Sequence, residues 1–306
     1  QHKMSRLLEM KQNKKDRAVL TNKLLLKHGL QLTLQQVEDA KEGEIVNGCL
    51  ILKKERYQAS QYRRRKDFVA VLALKLRKVP AYMFCGALNL KTVVMLKAKE
   101  IEDGFKINKG QSEKFVGAFT QTMVEKCYFP EIMRVGACAF INCNISSLDK
   151  ENFPTLKIVG IGAFMKCAIE KLDLPFLEKI EEGGFYNCPI SSVNLPSLIS
   201  IGKQGFRYCE KITKISAENL KCIGNNCFRS CPLLCSIHCK LESDQFTCNG
   251  CEGCPVCYHD VELCLKCGRY GIGGNNIQID EDTLNEVLKK FNVGITIQQA
   301  LDAKEG

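Results

Sequence analysis

Long apolar runs are missing from this 306-residue chain. Stretches such as Val69–Leu74 fall far short of the ~20 residues that a bilayer-spanning helix needs. Histidine is scarce, at 4 residues, and no nucleophile stands beside a base. A Cys–His pair would have to come from Cys239 or Cys257 with His238 or His259, and neighbours on a strand point to opposite faces. The expectation is a protein without enzymatic activity. No signal peptide is visible, and because the chain opens on Gln1 and not on Met, that excludes nothing. What remains is an ordinary folded composition, 45% hydrophobic and 25% charged, at a length that suits two domains or one solenoid.

The net charge of +10 is not spread evenly. Residues 1–80 hold 19 of the 44 Lys+Arg but only 8 of the 34 Asp+Glu, so the rest of the chain is close to neutral. The peak is Tyr62–Lys66, with Lys53, Lys54 and Arg56 just before it. Such a patch can attract phosphates or acidic surfaces. Without aromatic stacking or a recognition-helix pattern it reads as a solvated helix face.

A phenylalanine recurs through the middle of the chain, at Phe119, Phe140, Phe164, Phe185, Phe206 and Phe228, spaced by 21 to 24 residues, with a looser copy at Phe84. Cysteine stands three residues after it at Cys143, Cys167, Cys188, Cys209 and Cys231. An aliphatic stands five before it at Val135, Val159, Ile180, Ile201 and Ile223. A period of this length across six units signals a solenoid, in which each unit is too short to bury its own apolar face and must stack on its neighbours. Within a unit, segments such as "KLDLP" alternate with period two, which is strand chemistry; Leu172 and Leu174 then point inward and Lys171 and Asp173 outward. The prolines that follow (Pro130, Pro154, Pro175, Pro196) end the strands. The repeated cysteines read as small apolar residues in an interior column, not as a metal or redox site.

The motif "IGxxAFxxCxxLxxIxLP" over about 79–241 resembles the leucine-rich repeat of the BspA-like surface protein family. The resemblance implies a curved right-handed solenoid with a strand ladder, and a role in adhesion or partner binding. The outward column expected to meet a protein partner includes Val94, Tyr128, Asp149, Asp173, Asn194, Ser216 and His238, flanked by Lys171 and Lys214. It is small, polar and mixed in charge, with a single aromatic and no paired carboxylates. Phe119 departs from the pattern, with Lys114 in place of the aliphatic and no Cys three residues on. The segment between Ile101 and Gly117 is an insertion that breaks the period, either a binding loop or a disordered bulge.

Eleven of the 19 cysteines lie between Cys222 and Cys267. Cys248, Cys251, Cys264 and Cys267 form a C-x2-C-x12-C-x2-C set that can hold a structural zinc. The same density suits a disulfide-stapled module, and "CLKCGRYG" resembles the C-x-x-C modules of diplomonad surface proteins. An iron–sulfur cluster is the third chemistry, although the fourth spacing does not suit it.

"LTLQQVEDAKEG" (Leu32–Gly43) recurs as "ITIQQALDAKEG" (Ile295–Gly306), identical at 8 of 12 positions. Each copy reads as two short helices around a tight turn, shielding the end of a solenoid core, and a helix is expected through Asp67–Leu76. The recurrence suggests a piece of a longer protein in which helical unit and repeat block alternate. The expected organisation is a basic, mainly helical unit over 1–78, a solenoid over 79–241, a Cys-rich module over 242–272 and a second helical unit over 273–306. Two functions follow: a non-enzymatic interaction or adhesion scaffold displayed at a cell surface, or an intracellular regulator associated with nucleic acid through a zinc module and the basic segment.

Overall fold

The computed structural model describes residues 22–109, 112–231, 233–234, 236–239 and 270–272. Each unit is organised by its marker phenylalanine. The residue two positions after the Phe is held in the left-handed region throughout: Asn142, Lys166, Asn187, Tyr208 and Ser230 have φ between 56° and 61°. In several units the residue two before it is too, with Gly162 at 57° and Gly183 at 61°. These two reversals fold the chain back sharply and drive the ring inward. Every marker Phe from 84 to 228 is fully buried. The rings form one stack: neighbouring centroids from Phe84 to Phe228 lie 4.7 to 5.9 Å apart, with planes within 13° of parallel. Phe129 and Phe153 add edge-on contacts from the side.

Backbone pairing locks the stack. The Phe140 N–H donates to the Ala163 carbonyl and the Phe164 N–H to the Gly184 carbonyl, at 2.8 and 2.9 Å. Beside the rings runs the cysteine column. Cys143, Cys167, Cys188, Cys209 and Cys231 each donate a thiol hydrogen bond to the marker-Phe carbonyl of the preceding unit, at 3.3, 2.9, 3.1, 3.2 and 3.1 Å. The repeated residue is therefore a cross-unit donor as well as a filler, which explains why a thiol and not a methyl recurs there.

Three sheets wrap this interior. The first holds β1 (Ile45–Val46), β2 (Cys49–Leu52), β3 (Ala70–Ala73), β5 (Thr92–Met95) and β9 (Lys126–Tyr128). The second holds β4 (Lys78–Val79), β6 (Glu100–Ile101), β10 (Arg134–Val135), β12 (Ile158–Val159), β14 (Lys179–Ile180), β16 (Ser200–Ile201) and β18 (Cys222–Ile223). The third holds β11 (Ser147–Asp149), β13 (Lys171–Asp173), β15 (Ser192–Asn194), β17 (Lys214–Ser216), β19 (Ser236–Cys239) and β20 (Tyr270–Ile272). All pairings in these sheets are parallel except β1 with β2. Equivalent residues face one another without slippage, as Leu172, Val193 and Ile215 do.

The parallel ladder starts earlier than the sequence pattern placed it. Residues 67–76, expected as a helix, contain β3, and the strand β2 before it joins the same ladder. The physical reason is a disguised marker. Tyr62 sits 22 residues before Phe84 (84 − 62), is buried, and stacks on it at 5.8 Å and 11°. The run of arginines around Tyr62 hid it. Arg65 pairs with Asp67 and lies 5.5 Å over the Tyr62 ring, so it belongs to this turn and not to a helix face. The insertion after Ile101 is an antiparallel hairpin of β7 (Phe105–Lys109) and β8 (Ser112–Val116). It leaves the stack without interrupting it, since Phe84 and Phe119 still meet at 5.4 Å.

Candidate interaction face

The outer face of the strand ladder divides into two parts of opposite character. In β2, β3 and β5 the sequence runs apolar without alternation, "CLIL", "AVLA" and "TVVM", and nearly every residue is buried. Parallel strands covered on both sides read this way. Leu50, Val71 and Val93 face the ring stack, whereas Cys49, Ile51, Ala70, Leu72 and Val94 face outward into a second apolar cluster. That cluster is closed by the chain's own N-terminal segment. Leu24, Leu25, Leu30, Leu32, Val37 and Ala40, from a helical turn over 22–27 and the helix Leu34–Asp39, lie across these strands. The second helix is set by a capping box, in which the Thr33 hydroxyl accepts from the Gln36 N–H and the Gln36 side chain accepts from the Thr33 N–H. The segment expected to shield the end of the core instead forms a lid over the flank of the ladder.

The lid stops at one place. His28 packs its ring 4.9 Å from that of Tyr128 on β9, and Lys27 pairs with Glu151 at 2.6 Å. His28 is buried, and its Nε2 has no hydrogen-bond partner among the described residues. Desolvation lowers its pKa, and the charges of Lys27 and Lys126 lower it further. Glu151 belongs to a short excess of chain, since Phe140 and Phe164 are 24 residues apart (164 − 140) where the units that follow need 21 or 22. Asp149 ties this excess into a tight turn, accepting from the backbone N–H of Glu151 and Asn152 at 2.9 and 3.0 Å and from the Asn152 amide at 3.1 Å. At this turn the ladder itself is divided, because β9 ends the first sheet and β11 begins the third.

Beyond the turn, no described residue covers the outer face. β11, β13, β15 and β17 alternate with only the central residue buried. Lys171, Asn194 and Lys214 are exposed, and Asp149, Asp173 and Ser216 are partly so. Asn194 donates to the Asp173 carboxylate at 3.2 Å across the rung. His238 Nε2 lies 4.0 Å from Glu218. The structure thus places Asp149, Lys171, Asp173, Asn194, Lys214, Ser216 and His238 on one face that no other described residue covers, while Tyr128 and Val94 fall beneath the lid. The sequence carried a signal for that division: continuous apolar runs before Tyr128, strict alternation after it. Cys248, Cys251, Cys264 and Cys267, named above as zinc or disulfide residues, lie outside the described residues.

The repeat geometry agrees with comparison to known proteins. Residues 112–177 and 133–255 match the family described as BspA type Leucine rich repeat region, in six copies. The units of this stretch are repeats of the BspA leucine-rich type. The units led by Tyr62 and Phe84 continue the same stack upstream of the matched stretch. No curated protein and no solved structure matches the chain. Among the described residues, no helix is long and apolar enough to cross a membrane, and no group of three or more His, Cys, Asp or Glu is placed to hold a metal ion.

Proposed function

We propose that the chain is a non-enzymatic scaffold for protein–protein interaction, and that its binding surface is the uncovered outer face of β11 to β19. One observation carries this reading: among the described residues, a helical lid covers the apolar part of the ladder and none covers the polar part. Small side chains on evenly spaced rungs offer many hydrogen-bonding positions and few bulky obstacles. A surface without large aromatic anchors favours recognition through distributed polar contacts over a few deep anchors. Adhesion at a cell surface is the biological setting that BspA-type repeats suggest.

The test is site-specific photocrosslinking in the native source. A crosslinkable residue at Asn194 should capture a discrete protein, and one at Lys179, on the second sheet, should not. Equal capture at both positions, or none at Asn194, would overturn the assignment of the face.

A further inference from the structure

Along the second sheet this protein meets charge with charge. Lys78 lies 3.6 Å from Glu100, Arg134 2.6 Å from Asp103, Lys157 2.6 Å from Glu178 and Lys179 2.9 Å from Glu181. The turn edge of the stack departs from this habit. Immediately after the marker Phe stands Arg207 in one unit and Arg229 in the next. The Tyr208 N–H donates to the Arg229 carbonyl at 2.9 Å, so the two arginines hold the same place on adjacent rungs, about 4.8 Å apart along the stack. Among the described residues, no ion pair involves either of them. Like charges on facing positions repel, and no described acidic side chain pairs with either of them.

One of the two is also held in place. The Arg207 guanidinium carbon lies 4.8 Å from the Tyr208 ring centroid and 5.9 Å from that of Tyr186. The two rings meet edge to face at 5.4 Å. Arg207 Nη2 donates to the Tyr208 hydroxyl at 3.2 Å, and Nε is buried without an acceptor. The field at that hydroxyl is positive: the hydrogen bond from Arg207 lowers the phenol's pKa most, then the charge of Arg207, with smaller contributions from Arg229 and Ser230. A guanidinium held over these rings, with no described acid paired to it, gives up little freedom when a ligand arrives.

We propose that Arg207, Arg229, Tyr208 and Ser230 form a binding site for a tetrahedral oxyanion, a phosphate or sulfate group. The arginine forks match its oxygens, the hydroxyls supply further donors, and the anion removes the repulsion between the two rungs. The site lies on the turn edge, apart from the strand face, and does not depend on the partner-binding reading.

The test titrates the full chain with sodium sulfate and, separately, with sodium phosphate, at constant ionic strength held with sodium chloride. Binding is followed through the amide NMR signals of Tyr208, Arg229 and Ser230. Saturable shifts are expected, with tighter binding of one anion assigning the group. Arg229→Gln should weaken binding at least about tenfold, and Arg207→Lys, which keeps the charge and loses the fork, should weaken it too. Lys157→Gln should change nothing. Shifts that chloride reproduces, or affinities unchanged in both arginine variants with native spectra elsewhere, would overturn the proposal.

Discussion

At the scale of single residues, the marker ring and its thiol neighbour set stability. Phe164 is fully buried between two parallel rings, so Phe164→Ala should cost about 3–5 kcal/mol in chemical denaturation. The thiols make a sharper prediction. Burial pushes Cys143 and Cys188 up to about 12, and Cys167 and Cys209 well above the ordinary value. In the unfolded chain these thiols ionise near the ordinary value of about 8.5. Above that pH the folded state holds protons that the unfolded state has released, so folding stability is fully present below it and is lost progressively up to about pH 12. Stability measured from pH 8 to 11 should therefore fall, and native protein at pH 8 should leave this column unreactive toward a thiol reagent. Backbone strain gives a third expectation. Lys166 occupies a left-handed position that Asn142 and Asn187 fill in neighbouring units, so Lys166→Asn should raise stability by up to about 1 kcal/mol.

At the scale of elements, the lid is the part whose attachment depends on pH. His28 is buried neutral with Lys27 and Lys126 nearby, and Lys27 is itself paired with Glu151. Its folded pKa lies below the unfolded one, so the unfolded state binds more protons as pH falls. The lid's stability is complete above about pH 6.5 and declines below it. Hydrogen exchange should show amides of residues 24–40 opening at pH 5 while those of β13 to β17 stay protected. Phe291 stands where His28 does in the second copy of the helical motif (291 − 28 equals 295 − 32). His28→Phe should remove both the acid sensitivity and the orphaned nitrogen, stabilising the lid by about 1–3 kcal/mol. Unchanged exchange in that variant would mean that another group governs the lid.

At the scale of the whole molecule, the period was legible because each unit repeats the same inward residues. Phe, Cys and the aliphatic five before the Phe are dictated by a shared interior, and their columns in the structure are those read from the spacing. The unit led by Tyr62 was not legible: a tyrosine can stack where a phenylalanine does, and its arginines face outward where the interior imposes no pattern. The lid was half legible. Its two short helices were read from the recurring motif, but what they cover depends on contacts between distant segments that no local period encodes. Of the candidate face, the outward alternation was readable, and its boundary at Tyr128 is signalled only by the continuous apolar runs that the lid covers. Because stacking is between nearest neighbours, excising one whole unit, Met165–Phe185, should leave a folded chain with a lower denaturation midpoint and circular dichroism per residue unchanged. Excising only Met165–Leu174 should abolish cooperative unfolding of the C-terminal strands.

The divided ladder at Asp149 has a mechanical consequence. Between β9 and β11 the rungs are not laced into one sheet. The Phe129 N–H to the Asn152 carbonyl, the continuous second sheet through β10 and β12, and the Phe119–Phe140 ring contact carry the connection there. Under tension applied across this seam, the exposed Lys27–Glu151 bridge would act as the clasp that parts before the ring contact and the second sheet do.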